Sequence, residues 1–333
     1  MIRDHDPVSL PSDMRPILLV VVDTEETFAW SEPFSRESTS VAAMSCIGSG
    51  QKIFADYGVR PVYVVDYPVV SQEQGYAELR KFVAEGSAVI GAHLHPWVSP
   101  PFSEAVGVYN SYPGNLPYDQ EEAKLLALTE SINTTFGSRP QVYKAGRYGV
   151  GANTTAILAK LGYKVDLSLA PPFDYSSDGG PDFSSVSNQP FWFGNDEDML
   201  EIPCTGSFTG TLSSHGRWLY PVLNHSLLQP LRLSAIASRL GLLERIRLTP
   251  EGYSLSDLKR LTNHLLRSGN RIFTMSFHSP SLSPGAIDYV SNSADLQIFL
   301  ATISGYLEFF FGTLGGESLT PLEIKQRLEN LKR

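Results

Sequence analysis

The run Ile17-Leu18-Leu19-Val20-Val21-Val22 is continuous, apolar and mostly β-branched, with Pro16 before it and Asp23 after it. Such a run reads as a strand buried on both faces, and therefore as part of a parallel sheet. Residues 38–57 follow, with Val41, Met44, Ile47, Ile53 and Phe54 at helical spacing and Gly58 as a stop, although Gly48 and Gly50 weaken the pattern. Val62-Tyr63-Val64-Val65 predicts a second strand, residues 71–85 a helix ended by Gly86, and Ala88-Val89-Ile90 a third strand running into His93.

The alternation continues with helix at 120–136, strand at 141–144, helix at 153–161 and strand at 165–169. Residues 171–193 turn rich in Pro, Gly, Ser and Asp, which in the middle of a domain suits an active-site loop. Residues 199–203 resume as strand, and 215–248, rich in Leu and Arg, read as an inserted helical excursion. A helix at 254–267, a strand at 271–277 and closing helices at 296–311 and 321–331 complete the chain. Repeated βα units of this length predict a parallel sheet or barrel. No internal repeat and no linker composition divides it, so one domain over residues 1–333 is expected.

Composition narrows the function classes. With 26 Lys+Arg against 35 Asp+Glu the net charge is −9, and 42% of the 333 residues are hydrophobic, as in an ordinary globular protein. The acidic balance and the lack of any long basic run argue against nucleic acid or an anionic membrane surface as partner. Cys46 and Cys204 stand far apart and without zinc-finger spacing, which excludes a disulfide framework. Residues 1–15, with Asp4, His5, Asp6, Asp13 and Arg15, do not resemble a signal peptide, and no apolar run approaches the roughly 20 residues of a membrane span. A cytoplasmic location is the expectation, and the oligomeric state is unreadable.

Polar islands stand where the predicted strands end, the place where parallel α/β folds bind their ligands. After the first strand, Asp23 and Glu25 share a side if the backbone stays extended, although an acidic turn can also be a simple cap. After the third, His93 and His95 at i and i+2 point to one face and offer two imidazoles to a divalent ion, as against a hydrogen-bonded core pair. Lys144, Arg147 and Tyr148 follow the fourth strand, where the cations suit holding carboxylates or polarising a substrate. Asp166 on the next strand offers a counter-charge to Arg147 or His278, and His278, before Ser279-Pro280, is placed for acid–base work. Each is weak alone, but solvated turns do not account for all of them together.

The ordered set D-T-E, H-L-H-P-W, K-A-G-R-Y-G, V-D-L-S and F-H-S-P-S, spread from about Ile17 to Tyr306, resembles the motif series of the polysaccharide deacetylase (NodB-homology) superfamily, in its H-x-H-P-W branch. The resemblance implies an α/β fold, a distorted (β/α) barrel of about seven strands, and metal-dependent hydrolysis of an N-acetyl or related amide bond. It matches Asp23 to the general base, Glu25 to the acidic metal position, His93 and His95 to the metal histidines, and His278 to the general acid. The family's first motif has two adjacent aspartates, and here Thr24 separates the acids, so the division of base and ligand between Asp23 and Glu25 stays open. Lys144 stands where members usually carry Arg.

The resulting expectation is a divalent ion, most plausibly zinc, on His93, His95 and one carboxylate, with Asp23 as base and His278 as acid. Arg147 and Asp166 join the catalytic set, Lys144 sits beside the substrate, and Trp97 and Tyr148 stack on a sugar face. The substrate is an N-acetylated sugar or glycan precursor. The rivals are hydrolysis of a small cyclic amide, as in allantoinase-like members, and a non-catalytic carbohydrate- or partner-binding barrel.

Overall fold

The computed structural model describes residues 7–28, 32–195, 197–225 and 230–332. Its elements in chain order are β1 (Ile17–Thr24), α1 (Ile47–Asp56), β2 (Val62–Val65), α2 (Tyr67–Ser71), α3 (Glu73–Ala84), β3 (Val89–Leu94) and α4 (Tyr118–Phe136). Then come β4 (Val142–Ala145), α5 (Thr154–Leu161), β5 (Val165–Asp166), β6 (Phe191–Phe193), β7 (Met199–Glu201), β8 (Gly206–Thr209), α6 (Gly216–Leu223) and α7 (Leu233–Arg239). The chain closes with β9 (Glu244–Arg247), α8 (Leu255–Arg267), β10 (Ile272–His278), α9 (Ser293–Glu308), β11 (Glu317–Ser318) and α10 (Pro321–Lys332).

Seven strands pair in parallel in the order β10-β1-β2-β3-β4-β5-β7, with β6 added antiparallel at the β7 edge and β11 beside the start of β1. The sheet curls, and the gap between β7 and β10 is spanned by the ends of the antiparallel β8–β9 hairpin. Leu248 N–H donates to the Thr205 carbonyl (2.8 Å) and Ser276 N–H to the Leu248 carbonyl (3.1 Å). A distorted barrel of seven parallel strands is therefore present.

Side chains alternate across each strand, so each contributes an inward and an outward set. Inward-facing Ile17, Leu19, Val21, Val64, Val142 and Ile272 form one apolar cluster, which α10 floors with Ile324 and Leu328. Outward-facing Leu18, Val20, Val22, Tyr63, Phe273 and Met275 belong to the layer under the helices. Carried to the C-terminal strand ends, the inward positions become Asp23, His93, Lys144 and His278. Register sets Asp23 beside His278 and His93 beside Lys144.

The helix expected over 71–85 is α3, with the short α2 added before it. Other elements differ from the sequence reading, and the helix expected over 38–57 is a 3₁₀ turn, Ala42–Cys46, followed by α1. The excursion over 215–248 is helical only at α6 and α7 and ends in β9. There the alternation of Arg245 and Arg247 with buried Ile246 and Leu248 is a strand period. Residues 1–6 and 226–229, parts of the N-terminal and excursion readings, lie outside the described residues. The stretch Ser293–Thr313, which contains no long apolar run, is nonetheless long and apolar enough by length and composition to cross a membrane, and 39% of its most apolar 18 residues are buried in the fold. Its buried face includes Phe299, Ile303 and Tyr306, whose hydroxyl lies 2.8 Å from Thr262 Oγ1 on α8.

Candidate active site

Glu25, His93 and His95 converge at the C-terminal mouth of the barrel. Both imidazole Nε2 atoms lie 3.4 Å from Glu25 Oε2, and all three side chains are buried. The opposite ring nitrogens are taken: His93 Nδ1–H donates to the Lys144 carbonyl and His95 Nδ1–H to Glu26 Oε2, each at 2.9 Å. Those bonds fix the tautomer and leave both Nε2 lone pairs facing the carboxylate, the arrangement a metal-binding histidine requires. Burial lowers the His95 pKa, which favours the neutral, ligating form. Two imidazoles and one carboxylate oxygen with an open side fit a divalent ion such as zinc.

Local sequence explains how His95 reaches the cluster from beyond the end of β3. Gly146 passes so close that an added Cβ would lie 2.3 Å from the Leu94 carbonyl oxygen and 2.5 Å from His95 Cδ2. The loop after His95 is tied down by buried Lys124, whose Nζ donates to the carbonyls of Pro96 (3.0 Å), Ser99 (2.6 Å) and Pro101 (2.8 Å) and pairs with Glu104 (2.9 Å). Behind His95, Glu26 accepts from Trp97 Nε1 (2.9 Å) and its own backbone N–H donates to Asp66 Oδ2 (2.8 Å). Burial raises Glu26 to about 7 and Asp66 well above its usual range.

Two further pairs face the cluster. Lys144 Nζ lies 2.6 Å from both Asp23 oxygens, with the lysine wholly inaccessible to solvent. Burial alone would raise the Asp23 carboxyl, but the Lys144 ammonium, His93 and His278 outweigh it and hold it below its usual value. His278 Nε2 stands 3.8 Å from Asp23 Oδ2, and its Nδ1–H donates to Glu251 Oε2 at 2.9 Å. Burial would depress the imidazole, yet Glu251, Glu25 and Asp23 together push it up to about 10. The site thus holds an ionised carboxylate and a protonated imidazole side by side, a base and an acid poised for opposite proton transfers.

These groups line a cleft of about 230 Å³, walled by Tyr112, Tyr148, Tyr175 and Tyr289 with Arg147 and Arg247. The geometry changes several expected roles. Asp166 faces the opposite way: it sits across from Tyr143 in the outward layer, bonds Ser168, and lies beside Glu201, so strand parity keeps it out of the cleft. The carboxylate paired with Arg147 is Asp178 (2.5 Å), and that of His278 is Glu251, so Asp166 serves neither. Arg147 lines the cleft but Lys144 is the cation that holds Asp23. Lys144, so engaged and buried, is not a substrate contact. Trp97 is 2% exposed and stacks on His95 with ring centroids 4.3 Å apart, so its face is unavailable to a sugar. Tyr148 does line the cleft, as do Tyr112 and Tyr175.

Sequence reasoning passed over Glu26, Asp66, Glu251 and Arg247. Asp66 carried a usable signal, since Val-Val-Asp ends β2 as it ends the apolar run of β1. Glu251 lies in the loop between β9 and α8, and only the folded chain brings it to His278.

No family model matches the chain, and no curated protein matches it in sequence. Solved structures do share its fold. A Mycobacterium smegmatis protein assigned as a polysaccharide deacetylase superposes with a TM-score of 0.56 at 15% identity, over 99% of this chain and 96% of its own. A Pseudomonas aeruginosa PAO1 protein of the same assignment gives 0.55 at 14% identity, over 98% and 94%. PuuE allantoinase gives 0.51 at 15%, over 92% and 88%. The chain has the distorted (β/α)-barrel fold that these hydrolase structures share.

Proposed function

We propose that the protein is a divalent-metal-dependent hydrolase that removes the N-acetyl group from an acylated amino sugar. The observation that carries this reading is the convergence of Glu25 Oε2 with the two histidine Nε2 atoms at 3.4 Å, opposite Asp23 and His278. Glu25, His93 and His95 would hold the ion, zinc by its preference for two imidazoles and a carboxylate, and the ion would supply an acidified water and polarise the amide carbonyl. Asp23, kept anionic by Lys144, takes the proton from the attacking water. His278, kept protonated by Glu251, donates to the leaving nitrogen. Tyr148 and its neighbours place the sugar. The stretch Ser293–Thr313, whose buried face packs on the barrel, is read as a wall helix and not as a membrane span.

Ring-opening of a small cyclic amide is the second reading, favoured by the modest cleft and by the fold shared with an allantoinase. Metal analysis of the purified protein, then acetate release from N-acetylated sugars beside hydrolysis of cyclic ureides, separates the two. His93→Ala with His95→Ala is expected to abolish both the bound ion and the activity while the fold remains. Full metal occupancy in the double variant ends the proposal.

A further inference from the structure

Every acid lining the cleft or the adjoining cavity has its cation or histidine: Asp23 has Lys144, Glu25 has His93 and His95, and Glu251 has His278. Arg147, likewise, has Asp178. Arg247 differs. Its side chain faces the reaction cleft and also the adjoining cavity, which shares Tyr148, Tyr175, His278 and Tyr289 with it. Among the described residues no carboxylate comes within ion-pairing distance of its guanidinium. Two of its N–H groups donate to the hydroxyls of Tyr148 (2.9 Å) and Tyr175, and its Nε is buried without an acceptor. The plane lies 4.0 Å from the centroid of Phe173 and 4.9 Å from that of Tyr148, which fixes its orientation.

A guanidinium is charged at every accessible pH, and a partly desolvated cation without a counter-ion is costly. A planar fork held by aromatic faces, with donors left over, is suited to a carboxylate or phosphate. The acid that shares the adjoining cavity wall with Arg247, Glu251, is engaged elsewhere: it accepts from the His278 backbone and imidazole and from Ser281, and makes no ion pair with the guanidinium. The missing anion is therefore not supplied by the protein's own wall.

We propose that Arg247 selects substrates that carry an oxyanion, a carboxylate or a phosphate, close to the scissile acetamido group. This rests on the amide-hydrolase reading of the site. The substrate class is then an acidic N-acetylated sugar, a uronic acid or a sugar phosphate, in preference to a neutral one. Tyr148 and Tyr175 present Arg247, and the anion binds on its open edge beside Tyr289.

The test compares three acetamido sugars that differ only in the group at C6, neutral, carboxylate or phosphate: N-acetylglucosamine, 2-acetamido-2-deoxyglucuronic acid and N-acetylglucosamine 6-phosphate. Binding is measured by calorimetry, and acetate release separately. One or both acids are expected to bind about 10- to 100-fold tighter than the neutral sugar, and which of them does so distinguishes the carboxylate from the phosphate. Arg247→Met should bring that ratio to near one, and Arg247→Lys should keep part of it. An Arg247 that merely braces the two tyrosines would weaken neutral and acidic probes alike in the Met variant, and that result overturns the proposal. So does a wild-type protein with no preference for either acid, even if it releases acetate. Anion-selective binding lost in Arg247→Met without acetate release from any probe supports the site and refutes the deacetylase reading instead.

Discussion

Replacing Lys144 with Met tests the ion pair on which the proposed base depends. Lys144 and Asp23 are both buried, with the ammonium 2.6 Å from each carboxylate oxygen. Removing one partner of such a pair leaves an uncompensated charge and costs about 3–5 kcal/mol, whereas replacing both by neutral groups is far milder. Lys144→Met, which fills nearly the same volume, is thus expected to lose about 3–5 kcal/mol of stability, or roughly 4–7 °C of melting temperature for a chain of this size. Asp23→Asn strands the ammonium and should cost a similar amount, while the double variant should lose about 1–2 kcal/mol. The coupling energy of the cycle, the two single losses less that of the double, is then at least about 4 kcal/mol. Urea unfolding of chelator-treated protein is the assay, because a bound ion adds its own stabilisation to the folded state. A Lys144→Met protein within about 1 kcal/mol of wild type, or a double variant whose loss equals the sum of the singles, refutes the argument that each buried charge depends on the other.

Glu251→Gln removes the carboxylate that, against the effect of burial, holds the His278 imidazole near 10, so its pKa in chelator-treated protein should fall by about one unit or more. Nuclear magnetic resonance titration reads this directly, and an unchanged value removes Glu251 from the acid's machinery. Asp166 is raised by burial from 3.8 to about 7 beside Glu201, so between those values the folded protein keeps a proton that the unfolded chain has released. Stability is therefore highest below the unfolded value and falls as pH rises through the folded one, by about 4 kcal/mol for this group. Asp166→Asn should flatten the unfolding free energy measured between about pH 4 and 8, and curves parallel to wild type would show that Asp166 does not hold the proton.

The barrel was legible because β-branched runs and helical spacings alternate, and because Ile17 to Val22 has no polar interruption. The acid pair and the His-x-His pair were legible for the same reason: period-2 alternation carries an inward stripe of Ile17, Leu19 and Val21 straight to Asp23. That rule also shows why Asp166 was misplaced. It follows inward-facing Val165, so it must point outward, and counting parity from the apolar cluster would have said so. Trp97 was misjudged because an aromatic residue next to a metal-type motif invites a stacking role, while its indole N–H had a buried acceptor in Glu26. Glu251 and Arg247 were out of reach on different grounds. Glu251 meets His278 across 27 residues through a loop with no periodic pattern, and β9 was hidden inside an excursion whose Leu-rich flanks suggested helix throughout.

The two histidines with carboxylate partners show how one residue pair yields opposite chemistry. His95 donates to Glu26, and His278 donates to Glu251, each at 2.9 Å. His95 is nearly inaccessible, and its carboxylate is itself raised to about 7 by burial and the nearby Glu25 charge, so the charge available to stabilise an imidazolium is reduced and burial prevails. His278 keeps 22% of its side chain exposed, and Glu251 accepts from a backbone N–H and the Ser281 hydroxyl as well as from the imidazole. There the carboxylate outweighs burial and the ring stays protonated. The neutral histidine is the one whose Nε2 faces Glu25, and the charged one is the one that faces the cleft beside Asp23. Ligand and acid are thus separated by the depth of burial and by the hydrogen bonds that position each supporting carboxylate, so the residues behind Glu26 and Glu251 bear on the reaction through the histidines they orient.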